Sequence, residues 1–219
     1  MCIRDRINGG NFDWGNKEKF PTISGSHFAL NGISFWEEFG PSALTAKIRA
    51  EGMYNFGPSL SPNNAFYILQ GIETLSLRMK KHIENTKMML EFLKENESVS
   101  WLRHPDLEDH PDHKIAKKIL PLGSGSIIVF GIKGGRDAGK AFIENVKLSS
   151  HLANVGDAKT LLIHPGSTTH SHLSSEAMKM SGLTDDMIRL SVGLEDIEDI
   201  KIDFEKGFKA AAKISSNKS

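Results

Sequence analysis

Ile188, Leu190 and Val192 alternate with Met187, Arg189 and Ser191. A period of two fits a strand with one apolar face and fits no helix. That strand must bury its aliphatic side and carry Arg189 on the other, so the chain around it has to supply neighbouring strands and a covering layer. The flanking segments predict both: strands at 99–102, 126–132 and 160–163, an edge or strand at 149–153, and helices at 112–120, 136–146 and 196–212. The last helix has an apolar stripe of Ile197, Ile200, Phe204 and Phe208. Acids fill its first turns and Lys206, Lys209 and Lys213 lie late, as the helix dipole favours. Strands interleaved with helices describe a small α/β sandwich.

Upstream, Ser61 as N-cap and Pro62 at the first helical position open a helix. Ala65, Leu69, Ile72, Leu75, Met79, Ile83, Leu90 and Leu93 carry it on at three- and four-residue steps. A single helix over 62–96 would be roughly 50 Å long, enough to link two domains, and Gly71 within it marks a bend or a close contact. Residues 9–57 are rich in Gly, Asn, Phe and Trp, with a helical patch at 41–51. Phe12, Trp14, Phe20, Phe28, Phe35, Trp36, Phe39 and Phe56 either form a surface to be covered by further protein or a second subunit, or build a local satellite core.

With 39% hydrophobic and 25% charged residues, the 219-residue chain has the composition of a folded globular protein. Lys plus Arg equals Asp plus Glu at 27 each, which argues against a nucleic-acid or acidic-membrane partner. No apolar run approaches the roughly 18 residues of a membrane helix. The single cysteine, Cys2, leaves no internal disulfide and points to a reducing, cytoplasmic setting.

Arg189 offers a planar fork that grips a carboxylate through two parallel hydrogen bonds, which lysine cannot copy; the alternative is a solvated arginine on an open sheet face. Two polar segments could form a pocket rim beside it: Asn154 with Gly156-Asp157, and His164-Pro165-Gly166-Ser167-Thr168-Thr169. His104, His110 and His113 lie close in sequence, but without a cysteine nearby they read as solvated loop histidines rather than a metal set. Asp106, Glu108, Asp109 and Asp112 lack the spacing of a calcium loop. The Gly134-Gly135 turn is a weak anion-binding signal.

HLANVGDAKTLLIHPGSTTH at 151–170, IRLSVGLEDIEDI at 188–200, GIETLSLRM at 71–79 and FGIKGGRDAGKAFI at 130–143 resemble the pyridoxal-phosphate enzymes of cysteine and methionine metabolism. Within these the chain looks most like the O-acetylhomoserine sulfhydrylases. Cystathionine synthases and lyases are weaker matches, since they usually have serine at Asn154. The resemblance spans about residues 10–212. It implies the C-terminal portion of a fold-type-I, aspartate-aminotransferase-like transferase: a remnant of the large cofactor domain at 9–60, a linking helix at 61–97, an α/β domain at 98–214 and a tail at 215–219. The implied cofactor is pyridoxal 5'-phosphate, acting as electron sink while sulfide or a thiol replaces acetate to give homocysteine or methionine. Arg189 would bind the substrate α-carboxylate, with Asn154 and Thr169 shaping the pocket, in a homo-oligomer that is a tetramer in the intact family. The family's Schiff-base lysine, in a Ser-x-Thr-Lys segment, has no match. Lys47 and Lys159 are the nearest lysines, and Gly9 to Trp14 resemble the stretch just beyond that lysine. Residues 1–8 read as a leader foreign to the family. The expectation is an inactive part of a sulfhydrylase; the alternative is a non-catalytic carboxylate-binding or oligomerising derivative.

Overall fold

The computed structural model describes residues 8–216, so residues 1–7 of the expected leader at 1–8 and residues 217–219 of the expected tail at 215–219 lie outside the described residues. The chain divides into two compact units, Met1–Ile68 and Leu69–Ser219.

In the first unit, short helices follow one another: α1 (Pro21–Ser24), α2 (Phe35–Phe39), α3 (Ala43–Lys47) and α4 (Tyr54–Phe56). Ser34 caps α2 by accepting from the Glu37 N–H at 3.3 Å. The expected 41–51 helix is a longer run of mixed type, α3 passing through a π-helical stretch at Ile48–Met53 into α4. The eight aromatics divide between the two readings of them. Phe35 is buried with Ile23 and Ala43, and Trp14, Phe20 and Trp36 pack around that satellite core. Phe28 and Phe56 remain 95% and 87% exposed.

The expected 62–96 helix is realised as two: α5 (Pro62–Glu73) and α6 (Leu75–Glu95). Ser61 starts α5 as anticipated, its hydroxyl accepting from Asn64 N–H at 3.2 Å. The break falls at Thr74, where φ is −102° and ψ is 2°. Gly71 is not a packing contact, because nothing lies within 4 Å of where its Cβ would be. The Arg78 guanidinium donates to the Gly71 carbonyl across the break.

The second unit continues with β1 (Val99–Arg103), α7 (His113–Ile119), β2 (Ile127–Ile132), α8 (Gly135–Asn145), β3 (Leu161–Ile163), α9 (Ser175–Met180), β4 (Met187–Ser191) and α10 (Ile197–Ser216). The sheet order is β1-β2-β4-β3 and each neighbouring pair is antiparallel. The 149–153 segment contributes a single parallel bridge, Ser150 to Leu161, rather than a strand. Register aligns Phe130 with Ile188, and Ile128 and Leu162 with Leu190. Those residues share one sheet face, which is buried against Met89 and Leu93 of α6, Phe142 of α8, and Phe204 and Phe208 of α10. Phe142 stands 4.9 Å from Phe208 and 5.3 Å from Phe204, ring centre to ring centre. Each such ring contributes about 1.5–3 kcal/mol by leaving water. Helices laid on one face of the sheet make the layered helix-on-sheet sandwich expected, and the opposite face of β4 is left for the polar site. Among the described residues no helix is long and apolar enough to cross a membrane.

Candidate functional site

β4 lies between β2 and β3, so Arg189, opposite Val129 on one side and Ile163 on the other, is anchored in the sheet interior. Ile188 and Leu190 turn into the core, and Arg189 therefore turns the other way. Its guanidinium is half-buried. Nη2 donates to the Asn154 carbonyl at 3.2 Å, whereas Nη1 is buried with no hydrogen-bond partner. Burial pulls the group's pKa down from its ordinary value, yet a guanidinium keeps its charge in proteins. A solvated surface arginine would have neither feature. An unpaired buried donor costs about 1–3 kcal/mol, more when charged, and an incoming carboxylate oxygen relieves that cost. Ser191, two residues on and on the same strand face, is also buried with its hydroxyl unpaired.

Asn154 meets Arg189 through its main chain. Its side chain is exposed and reaches Asp157 at 3.5 Å. Thr169 lies in the turn after β3, exposed, its hydroxyl 2.8 Å from His170 Nδ1. The structure thus joins Arg189 and Asn154 directly, and connects Thr169 to them through β3, whose last residue faces Arg189.

That turn is held by His164, which is fully buried. Its Nε2 is 2.7 Å from the Asp185 carbonyl and its Nδ1 2.8 Å from the Ser167 hydroxyl. A carbonyl can only accept, so Nε2 carries the hydrogen and Nδ1 accepts from serine. Burial lowers the imidazole pKa, and the nearby Arg136 adds to the effect. Arg136 also donates to the Gly166 carbonyl at 2.8 Å. Beyond β4, two buried residues of α6 fasten the outgoing chain: His82 Nδ1 to the Val192 carbonyl at 2.7 Å, and Asn85 Nδ2 to the Gly193 and Glu195 carbonyls at 3.0 and 2.9 Å. The signal for them was available, since polar residues at 82, 85 and 86 interrupt the apolar stripe of the helix.

His104 corrects the reading of the loop histidines: it is 1% exposed, and its Nδ1 accepts from the Asp106 N–H at 3.1 Å. Among the described residues no group of three or more His, Cys, Asp or Glu side chains is placed to hold a metal. Neither candidate lysine fits the desolvated amine that a Schiff base with pyridoxal phosphate requires. Lys47 is ion-paired with Glu51, whose carboxyl it holds below the usual range, and Lys159 is exposed.

Over residues 12–209 the chain matches the family described as Cys/Met metabolism PLP-dependent enzyme. It is 43% identical over 200 residues to O-acetyl-L-homoserine sulfhydrylase 1 of Thermus thermophilus, covering 91% of this chain and 47% of that protein. To the homocysteine synthase of Schizosaccharomyces pombe it is 41% identical over 206 residues, covering 94% and 48%. Its fold matches the crystal structure of a protein described as an O-acetylhomoserine (thiol)-lyase from Campylobacter jejuni. The TM-score is 0.74 at 29% identity, covering 89% of this chain and 46% of that one, and that protein carries a pyridoxyl-lysine phosphate. The chain spans about half the length of the curated relatives it matches. By match and by fold, the chain belongs to the Cys/Met metabolism family of pyridoxal-phosphate-dependent enzymes.

Proposed function

We propose that this chain is the substrate-gripping part of a cytoplasmic O-acetylhomoserine sulfhydrylase, in which sulfide or a thiol replaces acetate to give homocysteine or methionine. The observation that carries this reading is the buried, unpartnered Nη1 of Arg189 beside an Nη2 already fixed on the Asn154 carbonyl. A substrate α-carboxylate bound there is held at one end. With that end fixed, the chain carrying the acetoxy group has a defined direction, which is the positioning part of catalysis. The Asn154 carbonyl and the turn carrying Thr169 form the rim. Neither Lys47, ion-paired with Glu51, nor exposed Lys159 suits the cofactor's anchor, and on this reading the chain alone is inactive.

Two measurements test the proposal. Calorimetric titration with O-acetyl-L-homoserine should show binding that weakens about tenfold or more in Arg189→Lys, or when the ester's carboxylate is converted to an amide, because a bidentate charge-assisted pair is lost. Equal binding of acid and amide sinks the carboxylate assignment. Incubation with pyridoxal phosphate, borohydride reduction and peptide mass mapping should give no adduct specific to one lysine. A single reduced lysine would place the cofactor's anchor within this chain after all.

A further inference from the structure

The main chain leaves the sheet at Ser150 and rejoins it at Thr160, and two hydrogen bonds close the neck of this loop. Ser150 N–H donates to the Thr160 carbonyl and Leu162 N–H to the Ser150 carbonyl, both at 2.9 Å. A buried carboxylate holds the outgoing side, Asp203 of α10 accepting from Lys147 N–H at 2.7 Å and Ser149 N–H at 3.0 Å. Glu195 holds the return side. Its Oε1 accepts from Thr160 N–H at 2.7 Å and its Oε2 from the Thr160 hydroxyl at 2.8 Å. The same hydroxyl accepts from Gly193 N–H at 2.9 Å, and Leu194 N–H donates to the Ala158 carbonyl at 2.8 Å. Only glycine fits at 193, since a Cβ there would lie 2.4 Å from Thr160 N.

Between these anchors residues 151–155 are exposed. Asp157 supplies internal support by accepting from Lys159 N–H at 3.1 Å and Asn154 Nδ2 at 3.5 Å. An exposed loop so sparsely bonded takes its conformation from its anchors. From it the Asn154 carbonyl reaches Arg189 Nη2, and that bond sets where Nη1 points.

We propose that Glu195 is a positioning residue for the Arg189 carboxylate site, acting through the 150–160 loop; the inference rests on the carboxylate reading of Arg189. A carboxylate accepts from both Thr160 donors at once. Thr160's hydroxyl accepts from Gly193 N–H and gives its one hydrogen to one Glu195 oxygen, while the Thr160 N–H goes to the other. Glutamine of the same shape offers only one acceptor: with that oxygen on the Thr160 N–H, its amide nitrogen donates to the hydroxyl's second lone pair, and the hydrogen of that buried hydroxyl loses its acceptor.

The test is the rate of phenylglyoxal modification of Arg189 in the full chain, read by peptide mass mapping beside Arg103 and Arg136 as internal controls, with and without O-acetyl-L-homoserine. In Glu195→Gln the Arg189 rate should rise about fivefold, the factor equivalent to about 1 kcal/mol, while the control rates hold. Asp157→Ala, in the half-exposed part of the loop, should move Arg189 in the same direction and decides the matter if Glu195→Gln does not fold. An unchanged Arg189 rate in a folded variant, or equal acceleration of all three arginines, overturns the positioning role. Failure of the ester to protect Arg189 in the unmodified sequence overturns the carboxylate reading instead, whatever the variants do.

Discussion

His104 and His164 are imidazoles that burial holds neutral. In both, desolvation pushes the pKa below the ordinary 6.5, and at His164 the Arg136 charge adds to it. An unfolded chain takes up protons near pH 6.5 whereas the folded chain resists until its lower values, so in that window the unfolded state binds more protons. Stability therefore rises with pH through the window and is lost as pH falls below about 6.5, by about 1.4 kcal/mol for each unit of depression. Asp203 behaves in the opposite sense. Burial raises its pKa, but the N–H groups of Lys147 and Ser149 outweigh that and leave it below the ordinary 3.8. Its contribution is complete above that value and disappears only as pH falls through the lower folded one. The urea midpoint should thus drop between pH 7.5 and 5.5, above the range in which Asp203 loses its charge. His104→Gln and His164→Gln should each flatten that drop; an unchanged slope in both would show that other groups carry it.

At the scale of elements, the contact between α8 and α10 turns on Gly207. A Cβ there would stand 2.7 and 2.8 Å from two ring carbons of Phe142 and 3.1 Å from the Phe142 backbone oxygen. On an exposed helix, Gly→Ala gains about 0.5–1 kcal/mol. Here the ring is wedged between Phe204 and Phe208, and overpacking of that kind costs about 1–3 kcal/mol. Gly207→Ala should lower stability by about 1 kcal/mol in guanidinium unfolding, and a more stable variant would mean that the helices have slack. The stripe of Ile200, Phe204 and Phe208 was legible from its spacing, because a helix repeats its buried face every three to four residues. The glycine inside it was not, since its need is set by a partner helix over sixty residues upstream. The break at Thr74 was hidden for a similar reason: the nearest residue that breaks helices is Gly71, and the interruption falls elsewhere. Period-two alternation correctly put Arg189 on the face away from the core. The main-chain role of Asn154 could not be read, because every residue has a carbonyl and only the fold chooses which one meets the guanidinium. His104 sat among acids and so looked solvated, although the fold buries it.

For the molecule as a whole, α5 poses a question of stability, since none of its residues is buried. Phe66, Tyr67, Leu69 and Ile72 are 58%, 71%, 59% and 56% exposed. A helix of this length is marginal in water unless its apolar side is covered, and an exposed strip of large apolar side chains marks an association surface. The relatives are about twice as long as this chain, and a second copy offers the same kind of cover to a chain studied by itself. We therefore expect the purified chain to self-associate through α5. Its sedimentation coefficient should rise with protein concentration, and Leu69→Lys combined with Ile72→Lys should abolish the rise. The charges do not touch the buried core of the second unit, so near-ultraviolet circular dichroism should keep its folded signature while the α5 contribution to far-ultraviolet helicity falls. A chain that stays monomeric at every concentration would show that α5 holds its helix without cover, and an association insensitive to the double substitution would place the interface elsewhere.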